Sequence, residues 1–127
     1  MKFEPDRADG VNQISRQEPG VVWIQAQAHS SSLLVPWSGN VRPWSARSFE
    51  GLSSEHFDAV LALQPELVLF GSGARLRFAS PSLWQGLIAA RIGFETMDTA
   101  AACRTFNVLA SEGRRVVAAL LLEPPAA

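Results

Sequence analysis

Three polar groupings carry the side chains that could do chemistry. The first is Gly71-Ser72-Gly73-Ala74-Arg75, a glycine pair ahead of a basic residue. Glycines let backbone N–H groups approach a phosphate or carboxylate closely, and Arg75 or Arg77 would add positive charge. A dinucleotide fingerprint needs a third glycine where Leu76 stands, and no Walker lysine follows. The competing reading is a tight turn that uses glycine for its backbone angles. The second grouping is Asp98-Thr99 at a strand-to-helix junction. It reads as a helix cap, or as a carboxylate at the strand ends where parallel sheets open ligand crevices. The third is Cys103, Arg104 and Asn107. Cys103 and Asn107 share one helix face, but a catalytic thiol needs a base in reach, and nothing in the spacing brings His56 there. A small buried side chain is the simpler account of Cys103. Arg104 suits an anion or an ion pair with Asp98.

One cysteine excludes an internal disulfide and a multi-thiolate zinc site. His29 and His56 lie far apart, so no metal is expected, and no cofactor either. Trp37 and Trp44 form a different kind of candidate. Each sits in a Pro-Trp-Ser tripeptide, and they serve either as half-buried packing or as aromatic anchors for a protein partner.

These residues must be positioned by one domain. The chain has 127 residues, 47% of them hydrophobic and 18% charged, which suffices for a core without covalent staples. Eleven basic against twelve acidic residues give a net charge of −1, which argues against a nucleic-acid partner. Met1 to Arg7 is polar with no signal-peptide core behind it, and the longest apolar run, 116–122, is too short to cross a bilayer. No membrane insertion and a cytoplasmic location are expected.

The first half, about 11–45, reads as strands over 11–17, 21–26 and 30–35, joined as an antiparallel meander. The Pro-Trp stretch after it suits a loop or a sheet edge. The second half, about 53–122, alternates helix and strand. Ser53 caps a helix carrying Phe57, Val60 and Leu61, and residues 66–70 are a buried strand. Ser80-Pro81 opens a second helix with Leu83, Leu87, Ile88 and Arg91 on one face, ended by Gly93. A strand over 94–97, a helix from Asp98-Thr99 to Glu112-Gly113 and a last strand over 115–122 follow, with a tail at 123–127. The fold class is mixed α/β: a single three-layer domain over 1–127, a mixed β-sheet with helices packed on it.

The run from Pro65 through Gly71-Ser72-Gly73, Met97-Asp98-Thr99, Cys103-Arg104-Thr105 and Asn107-Val108-Leu109 to Val116 resembles a known family. It is the small family of unknown function that includes the mitochondrial complex I assembly factor 3 and the adipogenesis-associated domain protein. The resemblance implies helices around a mixed sheet and a role in respiratory-complex assembly. It implies no catalytic residues. Two functional expectations follow. One is a noncatalytic protein-interaction or assembly module, with Trp37 and Trp44 as its partner surface. The alternative is a small-molecule or anion site, even an enzyme, at Gly71, Ser72, Gly73, Arg75, Asp98, Cys103 and Arg104.

Overall fold

The computed structural model describes residues 10–124. The polar start at residues 1–7 and the last three residues of the expected tail lie outside them. In chain order the elements are β1 Ile14–Glu18, β2 Val21–Ile24, β3 Gln27–His29, β4 Leu33–Pro36, β5 Arg42–Pro43, α1 Ser54–Leu61, β6 Leu67–Gly71, a 3₁₀ turn Pro81–Trp84 running into α2 Gln85–Ala89, β7 Gly93–Met97, α3 Thr99–Ser111 and β8 Val116–Leu120.

A five-stranded mixed sheet, in the order β5-β4-β8-β6-β7, forms the middle layer. β6 is parallel to both β7 and β8, and β4 is antiparallel to β8. Side chains along a strand alternate between faces, and β8 shows it cleanly. Val116, Ala118, Leu120 and Leu122 face α3, while Val117, Ala119 and Leu121 face the α1/α2 side. Every residue of β8 is buried, as expected for a strand covered on both faces. The helix layers therefore flank the sheet, and the three-layer expectation holds.

The meander is the point that changes. β1, β2 and β3 form a separate three-stranded antiparallel sheet, and β4 leaves it for the large sheet. The expected strand over 21–26 stops at Ile24 because Gln25 and Ala26 both take positive φ, the geometry of a two-residue hairpin turn. Leu33, Leu34, Val35 and Pro36 are all buried, so β4 needs cover on both faces and finds it only in the large sheet. The small sheet packs beside α3, and Asn107 fixes the joint. Its Oδ1 accepts from the Ile14 N–H at 2.8 Å and its Nδ2 donates to the Ile14 carbonyl at 2.8 Å.

The second helix also differs. It opens with Ser80 as cap, as read, but as a 3₁₀ turn, and only Leu87 of the expected stripe is buried. Ile88 is exposed, and the helix closes before Arg91, at positive φ, rather than at Gly93, which begins β7. At α1, Ser53 is the cap as expected, and the His56 Nδ1 accepts from the Ser53 N–H at 3.0 Å. At the opposite end of the large sheet, Glu66 accepts from the Arg115 N–H at 2.8 Å and from Arg114 Nε at 3.2 Å. The Arg115 hydrogen bond, above all, holds the Glu66 carboxyl below its ordinary value.

Candidate functional site

The carboxyl ends of β6, β7 and β8 meet at one rim of the large sheet, where Gly71 is level with Met97 and Leu120. The glycine loop at this rim is a closed turn. A Cβ on Gly71 would come within 3.0 Å of the Thr99 Cα, so the glycine is what lets α3 start against β6. The Ser72 N–H donates to the Met97 carbonyl at 2.9 Å. The Gly73 N–H donates to Thr99 Oγ1 at 2.9 Å, and Thr99 Oγ1 donates on to the Leu121 carbonyl at 3.0 Å. The amides an anion cradle would use are thus already satisfied by the chain, and Ser72 is fully buried.

Arg77, not Arg75, is the structural arginine of this loop. Arg75 is exposed. Arg77 folds back, donating from Nε at 3.1 Å and Nη2 at 2.7 Å to the Ser72 carbonyl. Its Nη2 also pairs with Glu123 Oε1 at 2.6 Å, and its guanidinium lies 4.7 Å from the centre of the Phe49 ring. The other Glu123 oxygen accepts the Phe49 N–H at 2.8 Å. Glu123, placed in the tail by sequence reading, is therefore a structural residue. In an extended stretch alternate side chains point opposite ways, so turning Arg77 inward turns its neighbours outward. Leu76 is 52% exposed and Phe78 is 72% exposed. The sequence carried no signal for this pair, because alternating arginine and apolar residues ordinarily read as charged side chains outward and apolar ones inward.

The remaining candidates do not converge on the loop. Asp98 caps α3, its Oδ1 accepting the Ala101 N–H at 2.8 Å. Cys103 lies in the core between α3 and the sheet, where burial pushes its thiol up to about 12. That is the opposite of the shift a nucleophile needs. Arg104 is exposed on the outer face of α3. Among the described residues no group of three or more His, Cys, Asp and Glu side chains is placed to hold a metal.

The tryptophan expectation requires correction at Trp44. Its ring is 4% exposed and makes edge contacts with Phe57 and Phe70, and its Nε1 donates to the His56 carbonyl at 3.0 Å. An indole locked this way packs the core and offers no surface. Trp37 is half-buried and touches both cores. The prolines around these residues leave backbone pairing poor, but the sheet edge needed large apolar cover, and that pulled the rings inward.

Beside the rim lies an open groove of about 1020 Å³, formed by three backbone stretches, 30–32, 43–48 and 122–124. Its lining is largely apolar, with Pro43, Ala46 and Leu122 beside serines and Arg47.

Residues 14–121 match the model of a family described as proteins of unknown function, DUF498/DUF598. The chain belongs to that family. An uncharacterised protein of Rhodobacter capsulatus is 39% identical over 108 residues, covering 85% of this chain and 82% of that one. The NADH dehydrogenase (ubiquinone) 1 alpha subcomplex assembly factor 3 of Bos taurus is 36% identical over 94 residues. That match covers 72% of this chain, which spans only 50% of the length of the bovine relative. A crystal structure of a protein from Bordetella parapertussis superposes with a TM-score of 0.85 at 32% identity, covering 91% of this chain and 99% of that one. The resemblance read from the second half of the sequence is thus established, and with it the mixed α/β fold. No helix of the described residues is long and apolar enough to cross a membrane.

Proposed function

We propose that this chain is a noncatalytic protein-interaction module that helps to assemble a protein complex. The observation that carries the reading is the loop after β6. Leu76 and Phe78 stand out from the surface on a segment whose other side is clamped by Ser72, Glu123 and Phe49. Large apolar side chains held in one geometry lose little freedom on binding, which is how interface anchors gain their energy. The partner surface thereby moves from Trp37 and Trp44 to Leu76 and Phe78. Relatives that carry the name of a complex I assembly factor favour a respiratory complex as the client. The anion-site alternative has less support, since the amides of Ser72 and Gly73, the Asp98 carboxylate and Cys103 are all engaged or buried.

The test is affinity capture from cells that make the chain, with Phe78→Ser and Leu76→Ser compared with the wild type. Loss of one discrete set of partners, with melting temperature kept, supports the reading. Native gels of cells lacking the chain should show less assembled NADH dehydrogenase. Normal assembly, with capture indifferent to both substitutions, refutes it.

A further inference from the structure

The groove at the rim exists because a β-ladder stops early. β4 and β5 pair antiparallel, Leu33 opposite Pro43 and Leu34 opposite Arg42. One further bond follows, from the Trp44 N–H to the Ser32 carbonyl at 3.0 Å. Beyond it the two chains part. No hydrogen bond to any described residue is made by the backbone groups of Ser30 and Ser31 on one side or of Ser45, Ala46 and Arg47 on the other. Yet the second segment keeps the character of a strand. Trp44 and Ala46 are buried while Ser45 and Arg47 are exposed, the two-residue period of extended chain. The 44–47 segment, strand-like in its burial and with no backbone hydrogen bond from 45 to 47 to any described residue, borders a groove of largely apolar lining, opposite Ser30 and the bend at Ser31. A further strand satisfies that arrangement better than a compact molecule does, because it offers donors and acceptors at matching intervals.

The charge of the groove selects among strands. It holds one arginine, Arg47, which is exposed, and one carboxylate, Glu123. Both oxygens of Glu123 are taken, by Arg77 and by the Phe49 N–H. The charge left to meet a ligand is therefore positive.

We infer that this groove receives an extended acidic segment of a partner protein, added as a strand against the 45–47 backbone and paired through a carboxylate with Arg47. The inference rests on the interaction-module reading and gives it a second contact, distinct from Leu76 and Phe78. The small side chains of Ser30, Ser31 and Ser45 leave room for a main chain to approach closely, and their hydroxyls supply hydrogen bonds at the rim.

The experiment uses the full chain, isotope-labelled for amide NMR. The probe is the capped peptide acetyl-Val-Glu-Val-Glu-Val-Glu-amide, with the matching Val-Lys peptide as charge control. The acidic peptide should shift the amide signals of residues 30–32 and 45–48 and slow their hydrogen exchange severalfold. Arg47→Glu should weaken it by about tenfold or more and favour the Val-Lys peptide instead. Arg47→Gln provides a milder variant. Absence of shifts at these residues overturns the inference, as does equal response to both peptides. Citrate that reproduces the shifts would mean a small-anion site and overturn it too. Phe78→Ser should leave the titration unchanged. Peptide failure with partner capture intact therefore removes the groove contact alone, while loss of capture dependence on Phe78 removes the module reading.

Discussion

Gly73→Ala tests whether the loop after β6 is held as a unit. Gly73 has φ of +106°, a region that L side chains rarely adopt. Holding alanine there costs about 1–3 kcal/mol in backbone strain. The new Cβ would also lie 2.5 Å from Arg77 Nη2 and 3.0 Å from Glu123 Oε1. Both atoms end flexible side chains, so they can swing aside. Swinging breaks the pair between them and the Nη2 bond to the Ser72 carbonyl. The hydrogen bond from the charged guanidinium contributes about 1.5 kcal/mol and the partly exposed pair about 0.5 kcal/mol, together about 2 kcal/mol. The sum is a loss of about 3–5 kcal/mol. Urea melts of Gly73→Ala, Arg77→Ala and the double variant separate the two parts. In the Arg77→Ala background the glycine substitution should cost only its backbone share, leaving a coupling energy of about 1–2 kcal/mol. A single-variant loss below about 1 kcal/mol, or a loss identical in both backgrounds, would refute the account of the loop.

Cys103 should resist thiol reagents in the native protein and label only on unfolding. Its folded-state value is raised from 9.0 to about 12, so its contribution to stability is complete below pH 9 and drains away as pH rises towards 12. Cys103→Ala should flatten that part of a stability–pH profile. Asp98→Ala removes the cap of α3 and should cost about 1 kcal/mol in a denaturant melt, with no change in partner capture. Trp44→Ala should cost about 3–5 kcal/mol of stability. A Trp44→Ala protein that melts like the wild type while losing its partner would restore the surface role that the burial of the ring excludes.

Local pattern carried what depends on neighbours in the chain. The cap at Ser53, the cap at Asp98 and the buried strand after Pro65 are governed by hydrogen-bond geometry and by runs of apolar residues within a few positions, so they were legible in the sequence. So was the inert character of Cys103, which sits one turn from Phe106 on the same helix. The glycine of the loop was legible too, but not its reason, because Arg77 and Glu123 lie 46 residues apart. The division of the first half into two sheets depended on which strands were left needing two covered faces, and only packing settles that. The exposure of the large side chains followed the same rule. Phe78 points outward because Arg77 found partners inside, and Trp44 points inward because the aromatic cluster around Phe57 and Phe70 had room for it. Sequence types set which residues are able to be buried, and tertiary contacts from distant segments decided which of them are.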